Sequence, residues 1–204
     1  MSLIKLRNIS LKFDNKPILN NFNLEIKEGE KILIVGKSGS GKSTILKLLL
    51  GFTKIPTGEY LYNEKKVKNY SKIRNNYAFV NQDVTLRDGK VKNILKEIAE
   101  FSYNNFNGKL NTDIAKLFEF DMDLLNKNID ELSGGERQRL GILIAIQMNR
   151  PVFLLDEVTS ALDIKLKEKV VKYFKDSDKT VIVVSHDHQW LESGFRKVVI
   201  DGND

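Results

Sequence analysis

The fold of this chain is predicted by one segment, KILIVGKSGSGKSTILKLLLG, at residues 31–51. Its first part is a continuous, mostly β-branched run that ends in glycine, a pattern typical of a strand buried on both faces. Its last part is rich in apolar residues up to Gly51, which predicts a buried helix with a C-terminal stop. Between them, residues 36–43 match G-x-x-x-x-G-K-[ST], the pattern of a phosphate-binding loop between a strand and a helix.

The residue types in this loop suit phosphate binding. Glycines let the backbone wrap around phosphate oxygens and point N–H groups at them, and the helix start adds the positive end of its dipole. We expect Lys42 to neutralise the β- and γ-phosphates and Ser43 to offer its hydroxyl to Mg²⁺. The alternative, a flexible glycine turn with a chance lysine, is disfavoured by the strand and helix on either side. The predicted nucleotide-binding residues are Gly36, Lys37, Ser38, Gly39, Ser40, Gly41, Lys42, Ser43 and Thr44.

Two carboxylates follow another buried apolar run, VFLLDE at residues 152–157. The carboxyl ends of strands in an open α/β sheet face the ligand crevice, so both side chains are expected near the phosphates. Asp156 is predicted to hold Mg²⁺, mostly through water, and Glu157 to polarise the attacking water. A solvated acidic turn is the alternative interpretation.

The chain has two histidines, and one follows a third buried run, TVIVVSHD at residues 180–187. His186 is therefore expected at the same edge of the sheet, where it could contact the γ-phosphate. His188, two residues further on, is interpreted as a surface residue. The predicted catalytic residues are thus Lys42, Glu157 and His186.

The remaining patterns predict an α/β protein. Near-alternating segments at 3–13 and 18–26 indicate an antiparallel sheet, with Lys16-Pro17 in the turn between them. Strands that alternate with helices elsewhere indicate a core with a parallel sheet. The amphipathic segment 164–176 is predicted to be one of those helices, and 197–202 the last strand.

A helical insertion is predicted at 83–135, because 91–101 and 113–125 have helical periodicity and no strand candidate intervenes. We therefore expect a single domain, 1–204, in which 1–82 and 136–204 form the nucleotide-binding core.

Composition narrows the function classes. The 204 residues include 41% hydrophobic and 29% charged residues, as in an ordinary globular protein. The absence of cysteine excludes disulfides and thiolate metal sites. A net charge of +6 is compatible with nucleic acid, anionic lipid or phosphate ligands, but the lysines are scattered, which favours a solvated surface. No apolar run approaches the ~18–20 residues needed to cross a bilayer, and no secretion signal is evident. A role at the membrane would therefore require the transmembrane segments of another chain.

A further segment, LSGGERQRL at residues 132–140, has two interpretations. Ser133 and Glu136 have the spacing of a capping box, which by itself describes a helix N-terminus. That interpretation leaves Gly134 and Gly135 unexplained, because consecutive glycines cost helix stability. Such a start does expose backbone N–H groups to an anion.

LSGGERQRL resembles the signature sequence of ABC-type ATPases. The other motifs occur in that family's order and span essentially the whole chain: the phosphate loop, Gln82 after a strand, the signature, VFLLDE, SALD at 160–163 and SHD at 185–187. The resemblance implies a P-loop NTPase core, an N-terminal antiparallel β subdomain and an inserted helical subdomain, with ATP and Mg²⁺ as cofactors. It also implies two domains paired head to tail, with each ATP between the phosphate loop of one and the signature of the other.

Several residue roles follow from the resemblance alone. Ser133, Gly134 and Gly135 would contact the γ-phosphate of ATP bound to the partner domain. Gln82 would bind Mg²⁺ and link the attacking water to the helical insertion and to a transmembrane partner. Asp163 would lie at the dimer interface. Phe13 stands where the family commonly places an aromatic ring, usually tyrosine, against adenine, although a core position on its strand is equally open.

The resemblance implies an ATPase subunit that powers a separate transmembrane transporter from the cytoplasmic face of the cell membrane. It would act as an ATP-dependent homodimer or pair with a related ATPase, and no nucleic acid is expected. Similarity to small metal-export subunits suggests a metal ion such as iron as substrate. An ABC domain excised from a longer exporter would look almost the same. A soluble ABC-type ATPase acting on nucleic acid or ribosomes is disfavoured by the single phosphate loop and compact insertion, and a kinase would not need the signature.

Overall fold

A computed structural model describes residues 2–13, 16–55, 57–101 and 106–200. The strands are β1 Ser2–Phe13, β2 Lys16–Lys27, β3 Lys31–Gly36, β4 Thr57–Tyr62, β5 Lys65–Lys66, β6 Tyr77–Val80, β7 Val152–Asp156, β8 Thr180–Val184 and β9 Arg196–Ile200. The α-helices are α1 Lys42–Leu49, α2 Tyr70–Arg74, α3 Val91–Glu100, α4 Thr112–Leu117, α5 Gly134–Gln147, α6 Ile164–Asp176 and α7 His188–Leu191. Two 3₁₀ helices lie at Met122–Asn126 and Ile129–Glu131.

A wholly parallel sheet forms the centre of the fold, with strand order β6-β7-β8-β3-β9. Every residue of β7 and β8 is buried, as their continuous apolar runs predict. Phe153 and Leu155 face one core with α5 and α6, whereas Val152 and Leu154 face a second core with α1 and the antiparallel sheet. Because both faces of the sheet are covered, the carboxyl ends of its strands are held rigidly at one edge.

The antiparallel sheet has strand order β2-β1-β4-β5. In β1 and β2, apolar residues face each other, as in the pairs Ile4↔Ile26 and Leu6↔Leu24. The predicted turn position of Lys16-Pro17 is wrong, since both residues belong to β2 and Pro17 lies opposite Lys12. A proline is tolerated at the beginning of a strand because the missing N–H costs little there.

Between residues 83 and 135, the described residues form helices α3 and α4, the two 3₁₀ helices and the start of α5, and none belongs to either sheet. The segment 113–125, with its predicted helical periodicity, is helical at both ends but not continuous, because α4 ends at Leu117 and Glu119 adopts a φ of +54°. Phe118 and Phe120, on either side of Glu119, are both buried, so packing favours a break over a continued helix. The division of the chain into core and helical subdomain remains a prediction.

The described residues include no helix long and apolar enough to cross a membrane. The longest of the described helices is α5, with 14 residues.

Candidate functional site

The phosphate loop connects the end of β3 to the start of α1, as predicted. Gly41, just before α1, has a φ of +98°, and a Cβ there would lie 2.6 Å from Cγ2 of Ile18. Glycine alone meets both the backbone and the space requirement at this position. The hydroxyl of Ser40 is buried and has no hydrogen-bond partner among the described residues, so the loop retains a polar group that a phosphate oxygen would satisfy.

Lys42 lies across the loop and is 7% exposed. Its ammonium group donates to the carbonyl oxygens of Gly36 at 3.0 Å and Lys37 at 2.8 Å. The loop therefore holds a positive charge next to its own backbone. An anionic ligand bound by the loop would pair with this charge.

Ser43 and Asp156 are brought together from α1 and β7. The Ser43 hydroxyl donates to Oδ1 of Asp156 at 3.0 Å. Burial raises the pKa of Asp156, although this hydrogen bond and the charges of Lys47 and Lys42 oppose the shift. A hydroxyl beside a carboxylate offers the hard oxygen ligands that Mg²⁺ prefers, so these two side chains fit a magnesium ion.

Glu157 directly follows β7 with a φ of +50°, and its N–H donates to the carbonyl of Val184 at 2.8 Å. Its carboxylate lies 3.4 Å from Nε2 of His186 and accepts the His186 backbone N–H at 3.4 Å. Burial raises the pKa of Glu157, against the opposing effects of His186 and of a hydrogen bond from the Ser185 hydroxyl. The structure thus places a carboxylate with a raised pKa beside a histidine at the edge of the sheet.

Ser185 was not singled out by the sequence patterns. It is fully buried, immediately before His186; its hydroxyl accepts the Asp187 N–H at 3.1 Å and acts to lower the pKa of Glu157. A hydroxyl residue between a buried strand and a candidate histidine is the signal that could have identified it.

Gln82 leaves the same edge of the sheet two residues after β6, whose Val80 pairs with Leu155 of β7. It is exposed and lines a cavity of about 410 Å³ that Gly134 and Arg137 also line. The structure gives Gln82 no hydrogen bond to Ser43 or Asp156, so its metal role stays a prediction.

The signature segment begins α5 with the predicted capping box. The Glu136 N–H donates to the Ser133 hydroxyl at 3.2 Å, and the Ser133 N–H donates to the Glu136 carboxylate at 2.7 Å. Ser133 and Gly134 are exposed, and a Cβ on Gly135 would lie 3.2 Å from the carbonyl oxygen of Ala161. No hydrogen bond given by the structure joins these signature residues to the phosphate loop of the same chain.

Three further predicted residues, Asp163, His188 and Phe13, lie outside the two pairs described above. Asp163 is exposed and caps α6, because its carboxylate accepts the Leu166 N–H at 3.0 Å, and its interface role stays a prediction. His188 is 73% exposed and lies 3.2 Å from Glu192, which agrees with a surface residue. Phe13 ends β1, and its side chain lies outside the described part of the chain, so its contact with adenine stays a prediction.

Comparison with known sequences places this site in a family. A family model described as ABC transporter matches residues 19–160. An ATP-dependent lipid A-core flippase of Photobacterium profundum is 32% identical over 211 residues, covering 97% of this chain and 36% of the flippase. The corresponding flippase of Pseudoalteromonas translucida is 36% identical, covering 98% of this chain and 37% of the flippase. The spermidine/putrescine import ATP-binding protein PotA of Mycoplasma mycoides is 30% identical, covering 98% of this chain and 58% of PotA.

Solved structures give the same result. The dimeric, post-hydrolysis state of the ATP-binding cassette MJ0796 bound to ADP and Pi superposes with a TM-score of 0.86 at 32% identity, covering 98% of this chain and 94% of that one. An ATP-bound bacterial Atm1-family exporter shares the fold with a TM-score of 0.84 at 22% identity, and this chain covers 37% of it. These matches confirm the predicted α/β fold class. The chain belongs to the ABC transporter family, in which it is an ATPase cassette.

Proposed function

We propose that this cassette hydrolyses ATP to drive transport through a transmembrane partner, either a separate subunit or a domain of the same polypeptide. The observation that carries the proposal is the meeting of two pairs at one edge of the parallel sheet: Ser43 with Asp156 and Glu157 with His186. The chain spans only about a third of the flippase relatives, so a fused exporter domain is supported as well as a free-standing subunit. Either arrangement would place the cassette at the inner face of the cell membrane.

Binding of ATP would use the groups that the loop leaves available. Lys42 would exchange its carbonyl partners for the β- and γ-phosphates, and the Ser40 hydroxyl would gain an acceptor. Ser43 and Asp156, together with Gln82, would hold Mg²⁺, which neutralises phosphate charge when bound. Phe13 would contact the adenine ring.

Hydrolysis would depend on the second pair. The Glu157 carboxylate is largely shielded from solvent, and its raised pKa makes it a stronger proton acceptor than an exposed glutamate. It would accept a hydrogen bond from the attacking water and orient it. His186 is 57% exposed next to this carboxylate, where it can reach the γ-phosphate of a bound nucleotide.

The signature residues would act on a second molecule. Ser133, Gly134 and Gly135 start a helix whose N–H groups suit a phosphate, yet they form no hydrogen bond with the phosphate loop of their own chain. A head-to-tail dimer would supply that phosphate, with Asp163 at the interface. The dimeric state of MJ0796, at 32% identity, supports this assembly, whether the partner is a second copy or a related ATPase.

The transported molecule is set by the transmembrane partner in this proposal. The two kinds of relative above differ in substrate, lipid A-core in the flippases and polyamines in PotA, and neither is named for metal transport. The metal-ion substrate therefore stays a prediction without support from these relatives.

Co-expression with a candidate multi-spanning membrane partner tests the proposal. We expect the two to purify together and the membrane protein's substrate to stimulate ATP turnover, because transport and hydrolysis share the dimer's opening and closing. Stimulation by RNA or ribosomes, with no response to the membrane protein, would instead favour a soluble ATPase acting on nucleic acid.

The pH dependence of turnover should report the raised pKa of Glu157. Only the ionised carboxylate can accept a proton from water, so kcat should fall as the pH drops through that raised pKa. The fall should begin at a higher pH than for an ordinary glutamate, whose pKa is about 4.3. Steady-state turnover measured across this acid range checks the expectation. A rate that stays constant down to the ordinary glutamate pKa would contradict it.

A further inference from the structure

Four side chains form a buried polar network behind the Glu157–His186 pair. The Thr159 hydroxyl donates to Oδ2 of Asp187 at 2.6 Å, and the Lys167 ammonium donates to Oδ1 of Asp187 at 2.7 Å. The indole N–H of Trp190 donates to the Thr159 hydroxyl oxygen at 2.9 Å. Both carboxylate oxygens of Asp187 are therefore bonded, and we call these four residues the Asp187 network.

The network is well shielded from solvent. Thr159 and Trp190 are fully buried, and the side chains of Lys167 and Asp187 are 16% and 21% exposed. Charge-assisted hydrogen bonds in such surroundings are stronger and more directional than those at a surface.

Helix capping does not explain Asp187. The residue occupies the position before α7, where an aspartate side chain usually accepts a backbone N–H from the first turn. Here its side chain makes no capping hydrogen bond. Its carboxylate is directed instead to Thr159 and Lys167, which lie on two other segments of the chain.

The network joins the two loops that carry the proposed catalytic pair. Thr159 follows Glu157 by two residues, and Asp187 comes directly after His186. The Asp187 N–H also donates to the Ser185 hydroxyl oxygen at 3.1 Å, and the N–H of His186, between these two residues, donates to the Glu157 carboxylate at 3.4 Å. A shift of Asp187 would therefore move both His186 and Ser185 relative to Glu157.

We infer that Asp187 is a positioning residue for ATP hydrolysis, held by Thr159 and Lys167 so that Ser185 and His186 keep Glu157 in place. The inference rests on the proposed roles of Glu157 and His186. Lys167 lies on α6, the helix that Asp163 caps, so the same network fixes the proposed interface segment to the catalytic loops.

Two substitutions test the network. Thr159→Val keeps the side-chain volume but removes the hydroxyl, and Lys167→Met removes the ammonium while leaving the Thr159–Trp190 hydrogen bond intact. We expect kcat to fall between about tenfold and 100-fold, because small displacements of catalytic groups have effects of this size. KM for ATP should change by less than about twofold, because the phosphate loop is untouched. Thr159→Ser, which retains the hydroxyl, should restore most of the turnover.

Lys172→Met is the matched control. Lys172 lies on the same helix and forms an ion pair with Asp176 at 2.6 Å, but both side chains are exposed. This variant should keep the wild-type kcat. Trp190 is the only tryptophan in the chain, and Lys167→Met leaves its hydrogen bond to Thr159 in place, so its fluorescence shows whether this variant retains the packing around the network.

Glu157→Gln separates failure of the inference from failure of the proposed function. Wild-type kcat in both network variants, beside an inactive Glu157→Gln protein, would overturn the inference and leave the proposed function intact. A joint rise in KM and loss of thermal stability in both variants would also overturn the inference, because a purely structural role of the network would then explain the loss of turnover. If Glu157→Gln kept its turnover, the proposed role of Glu157 would fall, and the inference, which rests on that role, would fall with it even if Lys167→Met lost turnover.

Discussion

Glu157→Gln is expected to lower ATP turnover by at least about 100-fold while leaving ATP binding intact, because a positioned proton acceptor contributes on that scale. Glutamine has nearly the same shape but cannot accept a proton from the attacking water. The groups proposed to bind phosphate and Mg²⁺, such as Lys42 and Ser43, do not contact this side chain through any hydrogen bond that the structure gives. Single-turnover hydrolysis and equilibrium binding of ATP, measured on the same protein, separate the two effects.

The same substitution should also raise the melting temperature at neutral pH. Burial raises the pKa of Glu157, so its ionisation costs folding free energy as the pH rises above the pKa of an unfolded glutamate, and the full cost is reached above the folded-state pKa. Removing that charge should stabilise the protein by about 1 kcal/mol, which is within the range of single stabilising substitutions. The gain should disappear below the pKa of an unfolded glutamate, where Glu157 is protonated in both states.

Glu192→Gln provides the matched control for both effects. Glu192 also lies beside a histidine, at 3.2 Å from His188, but both side chains are largely exposed. Neither turnover nor melting temperature should change appreciably. Full turnover in Glu157→Gln would contradict the proposed role of that carboxylate, and an unchanged melting temperature would contradict the cost of its burial.

The parts of the fold that were predictable from sequence are those fixed by local chemistry. The continuous apolar run of β3, the glycine-rich loop and the start of α1 are adjacent in the chain, so their joint pattern predicts their geometry. The capping box of Ser133 and Glu136 likewise depends on a spacing of three residues, and the structure has both of its hydrogen bonds. The meeting of Asp156 with Ser43 of the loop, and of Glu157 with His186, was predictable from the rule that strand ends share one edge.

The remaining features depend on contacts between distant segments. The helical pattern at 113–125 is interrupted near Glu119 because Phe118 and Phe120 must both reach the core, which the local pattern does not reveal. Asp187 has the sequence position of a helix cap, but Thr159 and Lys167 bind its carboxylate instead. Those partners are 28 and 20 residues away, so the sequence pattern around Asp187 cannot identify them.

Gly134→Asp should abolish turnover without unfolding the chain. A Cβ on Gly134 would meet nothing within 4 Å, and an aspartate in the first turn of a helix is favourable for the helix dipole. The added charge would, however, repel the γ-phosphate that this surface is proposed to receive from the partner's nucleotide. We expect a fall of at least about 100-fold in kcat, as for the loss of preorganised groups around a transition state. Gly134→Asn, which adds nearly the same volume without charge, should lose less.

Mixing this variant with Lys42→Met decides which chain supplies the signature. Each variant alone should be inactive, since every site in either homodimer contains one damaged half. In a mixed dimer, the intact phosphate loop of the Gly134→Asp chain would face the intact signature of the Lys42→Met chain. About half of randomly paired dimers are mixed, and each mixed dimer has one intact site out of two. If the sites act independently, the mixture should recover about a quarter of wild-type turnover.

The recovered rate distinguishes a shared site from a site within one chain. If the phosphate loop and signature of the same chain acted together, no pairing would create an intact site, and the mixture would stay as inactive as its components. Size-exclusion chromatography with ATP and differently tagged chains would confirm that mixed dimers had formed. An inactive mixture that contains mixed dimers would therefore contradict the head-to-tail arrangement. The capped helix start at Ser133 would then have no role in the partner's site.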